Sequence, residues 1–152
     1  MSLIVGLFTD IGPPGGVQRA GRHVAAVTSK FASDRGLACR FLSLNDPQGL
    51  HTFRVGSGEF LVSGHARDKV QFIQAALRTA GRKPVLAIGL HPHLAPILWA
   101  MSLRSPKMRS VVFAHGIEVW QRLPWPRRAA LRHADLVIGP SEDTVRHLIS
   151  TQ

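Results

Sequence analysis

Unbroken apolar runs alternate with amphipathic stretches along the chain. Residues 3–9 (LIVGLFT) are such a run, as expected of a parallel strand buried on both faces, and it stops at Asp10-Ile11-Gly12-Pro13-Pro14-Gly15-Gly16. From Val17 onward, Val17, Ala20, Gly21, Val24, Ala25, Val27, Thr28 and Phe31 recur at helical spacing, and Gly36 is placed to cap the helix. The unit then repeats. ACRFLSL (38–44) reads as a second strand, Asn45 to Gly49 as a polar turn, and residues 51–64 as two short strands around Gly56-Ser57-Gly58. Ala66 to Ala80 carries Val70, Ile73, Ala76, Leu77 and Ala80 on one face, which predicts an amphipathic crossover helix with a basic exposed side.

VLAIGL (85–90) predicts another buried parallel strand, ending at His91-Pro92-His93. Leu94 to Leu103 is apolar nearly all round and predicts a helix packed in the interior or under a partner. RSVVFAHG (109–116) gives a strand and loop, Pro126 opens a helix over Arg127 to His133, and residues 135–140 give a last strand. Ser141 is placed to cap a final helix, Glu142 to Ile149. Strands and helices in alternation imply an α/β fold: a single Rossmann-like domain with a mostly parallel sheet and helices on both faces, joined by right-handed crossovers. In such sheets ligands bind at the carboxyl ends of the strands, which is where Gly15-Gly16, His91-Pro92-His93 and His115-Gly116 fall.

Composition narrows the partners. The 152 residues, 45% apolar and 18% charged, suit one folded domain without repeats, low-complexity segments or an internal linker. Lys plus Arg number 19 against 9 Asp plus Glu, a formal charge of +10 that draws the surface toward phosphates, anionic lipid or nucleic acid. The basic residues are scattered rather than gathered in a stripe interleaved with aromatics, which disfavours nucleic acid. The lone Cys39 excludes an intrachain disulfide and multi-cysteine metal sites, so a cytoplasmic location is expected. The longest apolar stretch, 94–103, contains Pro96 and is too short to span a bilayer.

Three clusters could carry chemistry. In DIGPPGGVQRAGRHV (10–24), paired glycines before a helix would let a diphosphate approach backbone N–H groups; a plain strand-to-helix turn needing glycine is the alternative. The loop matches neither the dinucleotide fingerprint nor a P-loop. In FAHGIEVW (113–120), His115 stands at the tip of a strand with Glu118 three residues on, so an imidazole could hydrogen-bond a substrate and a carboxylate could accept a proton. His91 and His93 end the preceding strand, but a fourth ligand and a recognised spacing are both lacking, so no metal is expected. In the segment 122–148, with Trp120 just before it, Trp120 and Trp125 lie near Arg122, Arg127, Arg128 and Arg132. That grouping suits an anionic membrane surface, whereas tryptophans buried under arginine stems are the favoured reading. Ser141 either faces the same cleft or caps its helix, with capping favoured.

Taken in order, GGVQRAGRHVAAVTSKFASDRG (15–36), HGIEVW (115–120) and ADLVIGPSEDTVRHL (134–148) resemble the N-terminal, acceptor-side domain of GT-B-fold glycosyltransferases of the family-4 type, also called group 1. The resemblance spans nearly the whole chain and rests on ordered spacing rather than on one motif. It implies transfer of a sugar, with retention, from a nucleotide-sugar donor to a glycan, lipid-linked or small-molecule acceptor, in cell-envelope or polysaccharide biosynthesis, with no cofactor beyond the donor co-substrate. By that resemblance Gly15 and Gly16 meet the donor phosphates, His115 touches the transferred sugar with Glu118 beside it, His91 and His93 line the acceptor side, and Ser141 closes the cleft floor. It also implies a C-terminal, nucleotide-sugar-binding domain, absent from these residues, so that this part alone is expected to be inactive. A peripheral position at the inner face of an anionic membrane is compatible with it. The competing expectation is a stand-alone basic module that holds a phosphorylated ligand, anionic lipid or nucleic acid without catalysis.

Overall fold

A computed structural model describes residues 2–152. Seven strands form one sheet: β1 (Leu3–Phe8), β2 (Ala38–Ser43), β3 (Gly49–Val55), β4 (Gly58–Gly64), β5 (Leu86–Gly89), β6 (Arg109–Phe113) and β7 (Leu136–Ile138). The helices are α1 (Gly16–Asp34), α2 (Lys69–Ala80), α3 (Ala95–Arg104), α4 (Trp125–His133) and α5 (Glu142–Thr151), with single 3-10 turns at Pro92–Leu94 and Ile117–Val119. Strand order is β3-β4-β2-β1-β5-β6-β7, parallel throughout except for the antiparallel β3–β4 hairpin. The expected α/β, Rossmann-like architecture is therefore the one found.

β1 occupies the centre, and all six of its residues are buried, as its unbroken apolar run requires. Its alternate side chains feed two cores. Leu3, Val5 and Leu7 pack with Phe72, Ala76, Leu98, Met101 and Leu131 beneath α2, α3 and α4, while Ile4 and Phe8 pack with Ala25, Phe41, Phe60 and Val62 beneath α1. α1 leads from β1 to β2 on one side, whereas α2 carries the chain back across β1 to β5 on the other. With right-handed crossovers this reversal puts the helices on opposite faces and opens a switch point between the carboxyl ends of β1 and β5. α3 lies between α2 and α4, which explains why its sequence is apolar nearly all round. On the α1 face the half of the sheet beyond β5 is less covered, and Leu136 is half exposed there.

Three local expectations are corrected. The helix predicted from Ala66 begins at Lys69, because Ala66 and Arg67 take left-handed backbone angles (φ 47° and 67°) and Asp68 caps the helix by accepting from the Gln71 amide at 2.9 Å. Its buried face is also rotated. Phe72, Ala76, Thr79 and Ala80 point inward while Val70 and Ile73 are exposed, since Phe72 anchors the helix edge-on to the buried His65 ring. In α1, Val27 and Phe31 point outward, and Phe31 carries the Arg35 guanidinium 3.9 Å above its ring. The cap predicted at Gly36 is present: at φ 64° it lets Leu37 donate to the Ala32 carbonyl and its own amide donate to Ser33.

Candidate functional site

The loop after β1 is held from behind by a residue outside the predicted set. Asp46, buried at 4% exposure, accepts from the Ile11 amide (2.8 Å) and the Gly12 amide (2.9 Å), and takes a third hydrogen bond from the Ser43 hydroxyl. From the front, Arg22 reaches back from α1 and donates to the carbonyls of Ile11 (2.6 Å), Pro13 (3.2 Å) and Gly12 (3.4 Å). Gly15 then turns the chain into α1 at φ 155°, and a side chain there would collide with Gln18, whose amide donates to the Asp10 carboxylate at 2.7 Å. No side chain caps the first turn of α1, and no acidic residue stands in it. The amides of Gly16, Val17 and Gln18 thus form an open, positively polarised end, and a methyl group added at Gly16 would meet nothing within 4 Å.

Beside it, at the ends of β5 and β6, His91, His93, His115 and Glu118 come together with Arg127 from α4. The His115 Nε2 lies 2.8 Å from the Leu90 carbonyl. A carbonyl only accepts, so Nε2 carries a proton and Nδ1 is the ring atom left over. His91 Nδ1 accepts from the His93 amide at 3.1 Å, and the two rings meet with centroids 4.4 Å apart. Loss of hydration, reinforced by the charges of His93, His115 and Arg127 against the opposing pull of Glu118, lowers the His91 pKa to about 4. His93 is lowered too, by loss of hydration and by Arg127. At neutral pH His91 is therefore an uncharged ring that accepts at Nδ1 and presents an Nε2–H.

Glu118 Oε1 accepts from the backbone amides of both His115 and Gly116, the latter at 3.1 Å. The carboxylate is thereby engaged in holding the His115 loop. Ser141, beyond β7, spends its hydroxyl on the cap of α5, accepting from the Thr144 amide at 3.2 Å. The site residues that follow β1, β5 and β6 share one edge of three adjacent strands, where β1 and β6 are two strand spacings, about 10 Å, apart. Ser141 is one strand further out.

The tryptophans differ from the favoured reading. Trp125 is 69% exposed, Ile117 74% and Trp120 44%, with Trp120 stacked on His147 at 5.0 Å. They are exposed because Trp125 opens α4 on its solvent side, while Ala130 and Leu131 supply the buried contacts. Loss of hydration and the like charges of Arg122 and Arg132 lower the pKa of Arg128, which marks this as a crowded basic surface. Among the described residues no helix is long and apolar enough to cross a membrane.

Asp46 is the residue that sequence reasoning missed: it lies in an ordinary polar turn with no local signal, while Arg127, read from sequence as part of a basic, tryptophan-bearing surface, stands beside the histidines instead. Comparison with family models, curated proteins and solved structures finds no match.

Proposed function

We propose that the chain is the acceptor-side domain of a retaining glycosyltransferase, which moves a sugar from a nucleotide-diphospho-sugar to a hydroxyl-bearing acceptor. The supporting observation is the pairing, across the switch point of the sheet, of an uncapped helix N-terminus with a histidine cluster backed by Arg127. In this reading the amides at Gly15-Gly16 and the Arg127 guanidinium receive the diphosphate, whose charge grows as the bond from the sugar carbon to phosphate oxygen breaks. His115 offers Nδ1 to a hydroxyl of the transferred sugar. His91 and His93 face the acceptor, whose oxygen forms the new bond and whose proton leaves with the diphosphate. Glu118 is a positioning residue, and a companion domain would supply most of the donor contacts.

The test uses the full-length gene product and a panel of nucleotide-sugars, reading nucleoside diphosphate release and the anomeric configuration of the product. His115→Ala should lower turnover by at least about a hundredfold, the range found when a key transition-state contact is removed. Turnover near wild type would place the reacting centre elsewhere. A second, compatible reading is favoured by the exposed Ile117, Trp120 and Trp125 beside four arginines: the same edge rests on an anionic membrane. Sedimentation with vesicles should then depend on their anionic lipid content, and equal sedimentation with neutral vesicles would dismiss it.

A further inference from the structure

On the other side of β1 from the histidine cluster, a groove of about 520 Å³ runs between α2 and the outer strands. One wall is the α2 face made by Gln71, Ala75, Arg78 and the following Arg82; the other is Arg40 on β2 with Ser63 and Gly64 at the end of β4. No carboxylate lines it. Arg40 sits at a sheet position whose neighbours on the same face, Val5 and Leu42, are completely buried. α2 covers those two, while Arg40 remains half-buried with its charge at the groove. Arg78 lies in the last turn of α2 and Arg82 in the turn just past its Gly81 cap, and both are exposed like charges at the same groove. Among the described residues none of the three guanidiniums belongs to an ion pair; the carboxylates that are paired answer to Lys30, Arg54, Arg109, Arg146 and His147. The single side-chain bond made by the three is Arg78 Nε to its own helix carbonyl, Gln74, at 3.3 Å.

Three convergent, uncompensated guanidiniums with hydroxyl and carboxamide groups between them match a doubly charged phosphate, which guanidinium forks bind in paired hydrogen bonds. We propose that this groove is a binding site for a terminal phosphate group, separate from the switch-point site, with Arg40 and Arg78 clamping the phosphate from opposite walls and Arg82 adding charge at the amino-edge end. The phosphate is carried either by a small soluble molecule or by a lipid headgroup; the recognised chemistry is the same.

The test is a titration of the ¹⁵N-labelled 152-residue chain with inorganic pyrophosphate, followed by amide and arginine Nε shifts. Saturable shifts should appear at Arg40, Ser63, Gly64, Gln71 and Arg78. Arg40→Gln and Arg78→Gln, both at solvent-accessible positions, should each weaken binding about tenfold, the value of one charge-assisted contact, while Arg104→Gln on α3 changes it less than about twofold. A parallel arm uses phosphatidylcholine vesicles with and without phosphatidic acid. Arginine-dependent binding there, without saturation by pyrophosphate, assigns the phosphate to lipid. The proposal is overturned by binding in neither arm, by shifts matched by sodium chloride at equal ionic strength, or by an Arg104→Gln effect as large as the groove variants. Shifts confined to the amides of Gly15 and Gly16 also overturn it, while leaving the glycosyltransferase reading intact.

Discussion

Asp46→Ala tests whether the loop before α1 is built from behind. Asp46 is 4% exposed and bonds the amides of Ile11 and Gly12 at 2.8 and 2.9 Å. A hydrogen bond to a charged group contributes about 1.5–3 kcal/mol, so two give about 3–6 kcal/mol. The Gly12 amide lies in an exposed residue and regains water when the carboxylate is removed; the Ile11 amide, in a wholly buried residue, does not. The lower end of the range therefore applies, about 3 kcal/mol, which for a domain of this size lowers Tm by roughly 6–12 °C. Urea denaturation should show the loss as a shift in midpoint at unchanged slope. Hydrogen exchange should quicken at Ile11 more than at the middle of β1. Asp46→Asn keeps one acceptor oxygen and turns an NH₂ toward the other amide, so its loss should fall short of that of alanine, at about 2 kcal/mol. A loss below about 1 kcal/mol for alanine, or an Ile11 amide as protected as in the wild type, would refute the reasoning.

Gly16→Ala adds a methyl group to open space at the start of a helix, so unfolding free energy should hold or rise, by up to about 1 kcal/mol of helix propensity. On the glycosyltransferase reading the same methyl should weaken nucleoside diphosphate binding by the full-length protein, and unchanged binding would count against a phosphate at that turn. His91 has a pKa of about 4 in the folded chain against 6.5 for a free histidine. The unfolded state thus protonates first as pH falls, and the stability tied to His91 is complete above about 6.5 and lost progressively toward 4. Comparing denaturation midpoints of the wild type and His91→Asn at pH 7.5 and 4.5 should reveal this loss in the wild type, and an imidazole titration midpoint near 6.5 would contradict it. Glu118→Ala strands the amides of His115 and Gly116, costing about 1–2 kcal/mol and speeding their exchange; on the glycosyltransferase reading it also lowers kcat of the full-length protein, whereas Glu118→Gln, which keeps an acceptor oxygen, should retain most of that activity. Equal inactivity of both variants, with those amides still protected, would make Glu118 a catalytic base instead.

The segment 134–148, which carries part of the resemblance, has a structural reason for its aspartate. Asp135 accepts from Arg109 at 2.7 Å and from the Ser110 amide at 2.8 Å, stitching the amino ends of β6 and β7; the Arg109 bond, helped by Ser110, holds its carboxyl below the usual range. Ser141 then caps α5. Both residues therefore have structural duties, whatever function the segment serves.

By itself the sequence determined the alternation of strand and helix, the complete burial of β1, the cap at Gly36 and the placing of Gly15, His91 and His115 at strand ends. All of these follow from short-range periodicity and backbone preference, which act within one element. The tertiary structure alone decided which face of α2 turns inward, because Phe72 packs into the core with Val5 and Leu42 of strands far from it in sequence. Only the fold set the strand order, which brings β1 beside β5 and so creates the switch point. Only the fold gave Asp46 its two amides, 34 and 35 residues away, and brought Arg40 opposite Arg78. Such partners are chosen by long-range strand pairing and loop closure, and no window of neighbouring residues contains both members of the pair.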